Sequence, residues 1–188
     1  MRRPGRFQWL VVLMCAASVV LAAGGTARAQ DVPTVSDPTV SGSTVVERIA
    51  KFREETWRWQ RLMRRPRTPY YGYPERWTSE VFRQWALEVW RGRALRMRAA
   101  AGSPPRLSAW LCIHRREGPW TANTGNGYYG GLQMDLTFQR MYGLYLLRSK
   151  GRAHRWTPTE QIWIAVRAYR SGRGFYPWPN AARACGLI

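Results

Sequence analysis

The chain has 188 residues, with 30 Lys and Arg against 11 Asp and Glu, for a formal net charge of +19. A surplus of that sign suits polyanionic surroundings, cell-wall polymers or a membrane surface before nucleic acid. It counts for less here because arginine far outnumbers lysine, a bias to which a GC-rich genome can contribute. Only 2 histidines occur, too few with the spare acids to build a zinc centre.

The first residues predict export. Met1 to Arg6 is a basic stretch, Trp9 to Ala23 is apolar, and Ala27-Arg28-Ala29 is an A-x-A cleavage site, so 1–29 reads as a signal peptide. The apolar run is short for a membrane span, which needs roughly 20 residues, and Met14 before Cys15 disfavours a lipoprotein. A mature chain starting near Gln30 loses four arginines and no acid, leaving +15. It keeps Cys112 and Cys185, and two cysteines in an oxidising compartment predict a disulfide.

Residues 30–43 are rich in Val, Pro, Thr, Ser and Asp without a helical period, and read as a flexible leader. Thr44-x-x-Glu47 fits a capping box, and Val45, Ile49, Phe52, Trp59 and Leu62 or Met63 recur at helical intervals behind it. Pro66 and Pro69 stop that helix, and Tyr70 to Pro74 forms an aromatic turn. Thr78-Ser79-Glu80 opens a second helix with Val81, Phe82, Trp85, Val89 and Trp90 along one side. It fades at Gly102-Ser103-Pro104-Pro105. Residues 44–104 are thus expected to form a basic, Trp-rich helical hairpin, packed on the following domain or separate from it. Tryptophans at this spacing read first as core, and second as a surface for wall polymers or membranes.

The remainder, 105–188, predicts a mostly helical domain. Leu107 to Arg116 is a short helix with Trp110, Leu111 and Ile113. A glycine-rich stretch follows, in which Gly131 to Met134 is expected as a brief strand. Asp135 then caps a helix carrying Phe138, Met141 and Tyr142. Thr157-Pro158-Thr159-Glu160 combines an N-cap hydroxyl, a proline at the first helical position and a glutamate at the third. Ile162, Trp163, Val166 and Tyr169 form the buried stripe of that last long helix. The fold class is predominantly α, with minor strand.

Chemistry narrows to one residue. From Leu107 onward the acids are Glu117, Asp135 and Glu160. Glu160 is explained by its capping box and Asp135 by its N-cap. Glu117 sits where a helix gives way to a glycine-rich turn, and no structural role claims it. Trp120 nearby could dehydrate it, raising its pKa toward the range of a general acid. Glycosidases with two carboxylates need a second acid opposite the first, and only Asp135 could serve. The shortage favours a scheme in which Glu117 alone protonates the glycosidic oxygen. His114 and Cys112 share a helix, but a thiol nucleophile would have to be free of the predicted disulfide.

The run Asn123-Thr124-Gly125-Asn126-Gly127-Tyr128-Tyr129-Gly130-Gly131-Leu132-Gln133 is the most specific feature. With Trp110 seven residues before Glu117, with Glu160-Gln161-Ile162 and with Trp178-Pro179 before Cys185, it resembles the lysozyme-like core of the resuscitation-promoting factors and their transglycosylase-like relatives. The resemblance spans 107–187. It implies a lysozyme-like fold, peptidoglycan as substrate and Glu117 as catalytic acid, with Trp120, Asn123, Tyr129, Gln133 and Asp135 facing the glycan. Two features depart from the pattern. Around the glutamate the chain reads Glu-Gly-Pro-Trp, two residues shorter than the family's segment, with the cysteine five residues before the glutamate instead of one, and residues 180–184 are extra before Cys185.

The expected activity is therefore a secreted lytic transglycosylase or muramidase, needing no cofactor or metal. Its partners would be peptidoglycan glycan strands and anionic wall polymers, without nucleic acid or a stable membrane span. The alternatives are a non-catalytic wall-binding protein of the same fold, or a cationic membrane- or nucleic-acid-binding protein that uses the first two helices.

Overall fold

A computed structural model of the chain describes residues 44–70 and 78–188. The expected signal peptide, the leader and the aromatic turn beyond Tyr70 lie outside the described residues. The first helix, α1 (Val45–Met63), opens on the capping box read from the sequence: Glu47 N–H donates to Thr44 Oγ1 at 3.2 Å, and Thr44 N–H to Glu47 Oε2 at 2.7 Å. It stops at Arg64, which turns left-handed with φ 55°. The second, α2 (Glu80–Gly102), is capped by Ser79, whose Oγ accepts from Phe82 N–H at 3.3 Å.

Ile49, Trp57, Ala86, Leu87 and Trp90 form a small apolar cluster between these two helices, with Trp57 and Trp90 edge to face at 6.0 Å. At the other end, Leu62, Met63 and Ala101 belong to the main core. Both helices finish against α5 (Pro158–Ala168). Arg167 donates to the Leu62 carbonyl at 3.0 Å, and Trp163 Nε1, one turn earlier, to the Ala101 carbonyl at 2.8 Å. The helices therefore run in the same direction. The chain after Arg64 doubles back along α1, where Thr68 pairs with the Gln60 amide and its carbonyl accepts from Trp57 Nε1 at 2.9 Å. Val81 and Trp85, expected on the buried side of α2, are 81% and 60% exposed. Ala86, Leu87, Ala94 and Ala101 take that side instead. Small residues allow the close approach of a neighbouring helix.

The rest follows as α3 (Leu107–Glu117), β1 (Tyr128–Tyr129), β2 (Met134–Asp135), α4 (Leu136–Lys150), α5 and α6 (Pro179–Ala184). Asp135 caps α4, as expected, and Thr157 with Glu160 forms the predicted capping box of α5. Of the strand expected over Gly131 to Met134, only Met134 lies in one, as the first residue of β2. Residues 130–133 are the turn, closed by Gln133 N–H to the Gly130 carbonyl at 3.0 Å.

Trp110 is fully buried at the centre of the domain, ringed by Phe175 at 4.9 Å, Trp178 at 5.4 Å and Tyr169 at 6.2 Å. Truncating a side chain buried to that degree costs ~3–5 kcal/mol, so this indole sets where α3 lies. The predicted disulfide is present, Cys112 to Cys185, and ties α3 to the segment after α6. Among the described residues helix dominates, with one two-stranded sheet, as the sequence suggests. Among the described residues no helix is long and apolar enough to cross a membrane.

Candidate active site

Glu117 is the last residue of α3, seven positions after Trp110. Seven residues are close to two helical turns, so both lie on one face of α3. Burial of the indole thus aims the glutamate at the same side of the domain, one helix end further out. The helix cannot continue past it: Gly118 sits at φ 141°, a region that side chains strongly disfavour.

The carboxyl of Glu117 opens into a hollow of about 280 Å³, shared with Tyr128, Gln133, Pro177, Trp178, Pro179 and Asn180. A second hollow of about 280 Å³ adjoins it and holds Asp135, Thr137, Phe138, Met141 and Arg173. Tyr128, Gln133, Pro177 and Trp178 line both, so the two are sections of one cleft. Partial burial raises the Glu117 pKa above its ordinary 4.5, because the charged form loses hydration. Among the described residues nothing hydrogen-bonds or ion-pairs with its carboxylate. A half-buried, unpaired, proton-retaining carboxyl in a cleft is what general acid catalysis requires.

A slightly larger hollow, about 310 Å³, lies between α1 and α4. Both of its acids are engaged. Glu160 pairs with Lys150 at 2.6 Å and caps α5, and Glu54 lies 3.7 Å from Arg53. It offers no free acid, and the cleft at Glu117 is the better candidate.

The opposite wall of the cleft is set by two-residue strand pairing. Tyr128 pairs with Asp135 and Tyr129 with Met134. Successive strand side chains point to opposite faces, so the tyrosines part. Tyr128 is 48% exposed in the cleft, whereas Tyr129 is 6% exposed. The Tyr129 ring packs 5.8 Å from His154 and lies under the Arg152 guanidinium at 4.9 Å. Tyr129, expected to face the glycan, is therefore core, and Tyr128 lines the cleft instead.

Gln133 and Asp135 do reach the cleft. Gln133 has a left-handed backbone, φ 45°, and donates its side-chain amide to the Gly130 carbonyl at 2.9 Å. Such strain costs on the order of 1–3 kcal/mol and clusters at functional sites. Asp135 Oδ1 accepts from Phe138 N–H at 2.6 Å, so one oxygen is committed to the cap.

Trp120 and Asn123 are not among the residues lining the cleft. Trp120 stacks on His114 at 3.7 Å, nearly parallel, and together they cover Gly131. A Cβ at Gly131 would lie 2.5 Å from His114 Nδ1 and 2.7 Å from Trp120 Cε3, so only glycine fits. The apolar groups beside Glu117 are instead Pro177, Trp178 and Pro179. Asn123 is exposed, with its backbone bridged to Tyr129.

Sequence reasoning missed Tyr128, Arg173, Asn180 and the reach of Trp178. The strand period, applied to the Tyr-Tyr pair, would have separated the tyrosines, though not said which faced out. Gln161 was read only as part of a motif. Fully buried, it holds the glycine-rich turn: its Oε1 accepts from Gly131 N–H at 2.8 Å, and its amide faces the carbonyls of Trp120, Ala153 and Trp156 at 2.9 to 3.0 Å.

Residues 107–181 match the family model of the transglycosylase-like domain. The chain is 33% identical over 113 residues to resuscitation-promoting factor Rpf1 of Corynebacterium glutamicum, covering 58% of this chain and 57% of that one. It is 39% identical over 107 residues to RpfB of Mycolicibacterium smegmatis, covering 53% and 28%, and 39% identical over 76 residues to RpfE of Mycobacterium tuberculosis, covering 39% and 41%. The chain thus spans a little over half of Rpf1 and less than half of the other two.

Proposed function

We propose that this chain, whose residues 107–181 belong to the transglycosylase-like family of the resuscitation-promoting factors, is an exported enzyme that cleaves the glycan strands of peptidoglycan. The bond cut is the β-1,4 link between N-acetylmuramic acid and N-acetylglucosamine. The observation that carries this reading is Glu117 itself: unpaired, half-buried, its pKa raised by burial, at the mouth of a cleft walled by Tyr128, Gln133 and Trp178.

Glu117 protonates the glycosidic oxygen as the bond from the muramic acid C1 breaks. The 6-hydroxyl of the same sugar then attacks C1 and returns its proton to the Glu117 carboxylate. The product is a 1,6-anhydro sugar, and no water is consumed. Tyr128 offers a flat ring for a sugar face, and the Gln133 amide can serve hydroxyl or N-acetyl groups. Residues 105–188 would be the catalytic domain and 44–104 a helical support, with 1–29 directing export.

A hydrolytic muramidase is the second reading, favoured by one observation: Asp135 lines the adjoining section of the same cleft. The test is release of soluble muropeptides from purified peptidoglycan by the full chain and by Glu117→Gln. Release by the wild type, lost in the variant with binding retained, is expected. Equal and negligible release by both would mean a wall-binding protein without turnover.

A further inference from the structure

The cleft carries a cation for which the cleavage scheme has no use. Arg173 lines the section that contains Asp135, and it is the sole Lys or Arg lining either section. Several arginines of this chain are already engaged: Arg53 lies over Tyr70 at 4.3 Å, Arg106 over Tyr169 at 5.1 Å, and Arg167 donates to three carbonyls. Arg173 is exposed, and no described acid, ring or carbonyl engages its guanidinium. It forms no ion pair with Asp135 either.

Its backbone, by contrast, is held. Arg173 closes a single π-turn, Tyr169–Arg173, of the kind that recurs at functional sites. Inside that turn Ser171 Oγ donates to the Ala168 carbonyl at 2.8 Å and lies 3.2 Å from the Tyr142 hydroxyl. The Arg173 carbonyl accepts from Tyr176 N–H at 3.2 Å, just before the Pro177 and Trp178 that line both sections. A guanidinium with free donors is therefore carried on a fixed turn at the cleft wall.

Charge decides what it would take. Asp135 places a negative charge in the same section, so an anionic substrate would be repelled there without a compensating cation. A planar guanidinium matches a carboxylate with two parallel hydrogen bonds. We infer that Arg173 is a specificity residue that reads a carboxylate carried by the glycan. This rests on the cleft being the glycan site. The carboxylate belongs to a peptide attached to muramic acid, whose amide link leaves the lactyl arm uncharged, or to the lactyl arm itself where no peptide is attached. Chains of N-acetylglucosamine alone carry neither.

The test uses the full chain on four polymers: peptidoglycan, peptidoglycan with carboxylates capped as amides, glycan stripped of peptides by an amidase, and N-acetylglucosamine oligomers. Arg173→Gln should raise KM on peptidoglycan ~10-fold while kcat moves less than ~2-fold, since a hydrogen bond to a charged group contributes at that scale. On capped peptidoglycan and on the oligomers the variant and wild type should agree. Arg173→Lys should recover part of the loss. On stripped glycan the amidase frees the lactyl carboxylate, so dependence that persists there shows that Arg173 reads that group as well, and dependence that disappears restricts it to the peptide. Equal KM for variant and wild type on peptidoglycan would overturn the inference, as would an equal loss on capped and uncapped polymer. Binding in the Glu117→Gln background, read by co-sedimentation with and without Arg173→Gln, separates this from cleavage. Carboxylate-dependent binding lost with Arg173 would support the residue's role even if no product is released.

Discussion

The Gln161 side-chain oxygen accepts from Gly131 N–H at 2.8 Å, joining two residues thirty positions apart. It places the glycine-rich turn, and with it Tyr128 and Gln133, relative to α5. A buried amide that loses its partner costs ~1–3 kcal/mol, and here an N–H and carbonyls would be stranded together. Gln161→Leu, close in volume, is expected to destabilise the fold by ~3 kcal/mol or more and to weaken cleavage though Glu117 is untouched. Urea denaturation followed by tryptophan fluorescence measures the first, product release the second. An unchanged midpoint would mean the turn stands without this glutamine.

The two adjacent tyrosines should separate cleanly. Tyr129→Ala empties a buried site and should cost ~3–5 kcal/mol. Tyr128→Ala removes an exposed ring and should leave stability within ~0.5 kcal/mol while raising KM for glycan. A melting curve and a saturation curve on each variant suffice. Equal loss of stability in both would contradict the register of β1 and β2.

These residues also mark where the sequence is legible. The ends of α1, α4 and α5 were readable because Thr44, Asp135 and Thr157 cap through their own side chains three positions on, a local matter. Glu117 stood out by elimination, once Glu160 and Asp135 had structural roles, and the structure puts it in the cleft. Tyr128 against Tyr129 was not readable, because in a two-residue strand the outward face is set by pairing with β2. Nor was the parallel course of α1 and α2, since it depends on Arg167 and Trp163 capturing both helix ends from a hundred and sixty positions into the chain. Trp120 misled for a related reason. It is close to Glu117 in sequence, but stacking on His114 turns its ring away to cover Gly131.

The disulfide links residues 73 apart, and in the chain-entropy view a loop of that length contributes about 4 kcal/mol. Cys112→Ser and Cys185→Ser should each lower the melting temperature, and the double variant should fall little further than either. Two titratable thiols in protein recovered from an oxidising compartment would show that the bond does not form there.

Glu117 ties pH to both activity and stability. Its folded pKa is raised above 4.5 by burial, so the folded state holds this proton more tightly than the unfolded chain. The stability it contributes is complete below the ordinary value and is lost as pH rises through the raised one. Relative to wild type, Glu117→Gln should therefore gain stability as pH climbs from below 4.5 past the raised value. Activity needs the protonated acid and should fall over the same alkaline limb. Parallel denaturation midpoints for both proteins from acid to neutral pH would show that burial does not bias this proton.

The product distinguishes the two mechanisms. A muramidase must activate water, commonly with a second carboxylate, and Asp135 is the one other acid on the cleft. One of its oxygens is committed to Phe138 N–H at 2.6 Å, at the start of α4. Asparagine caps a helix about as well as aspartate, so Asp135→Asn removes the charge and spares the cap. If the 6-hydroxyl of muramic acid is the nucleophile, wild type and Asp135→Asn should both yield mainly 1,6-anhydro muropeptides, lighter by one water than the reducing-end forms. Mass spectrometry of the soluble fraction reads the difference directly. Reducing-end products from the wild type, abolished in Asp135→Asn with the melting temperature unchanged, would make Asp135 the water-activating base and the enzyme a hydrolase.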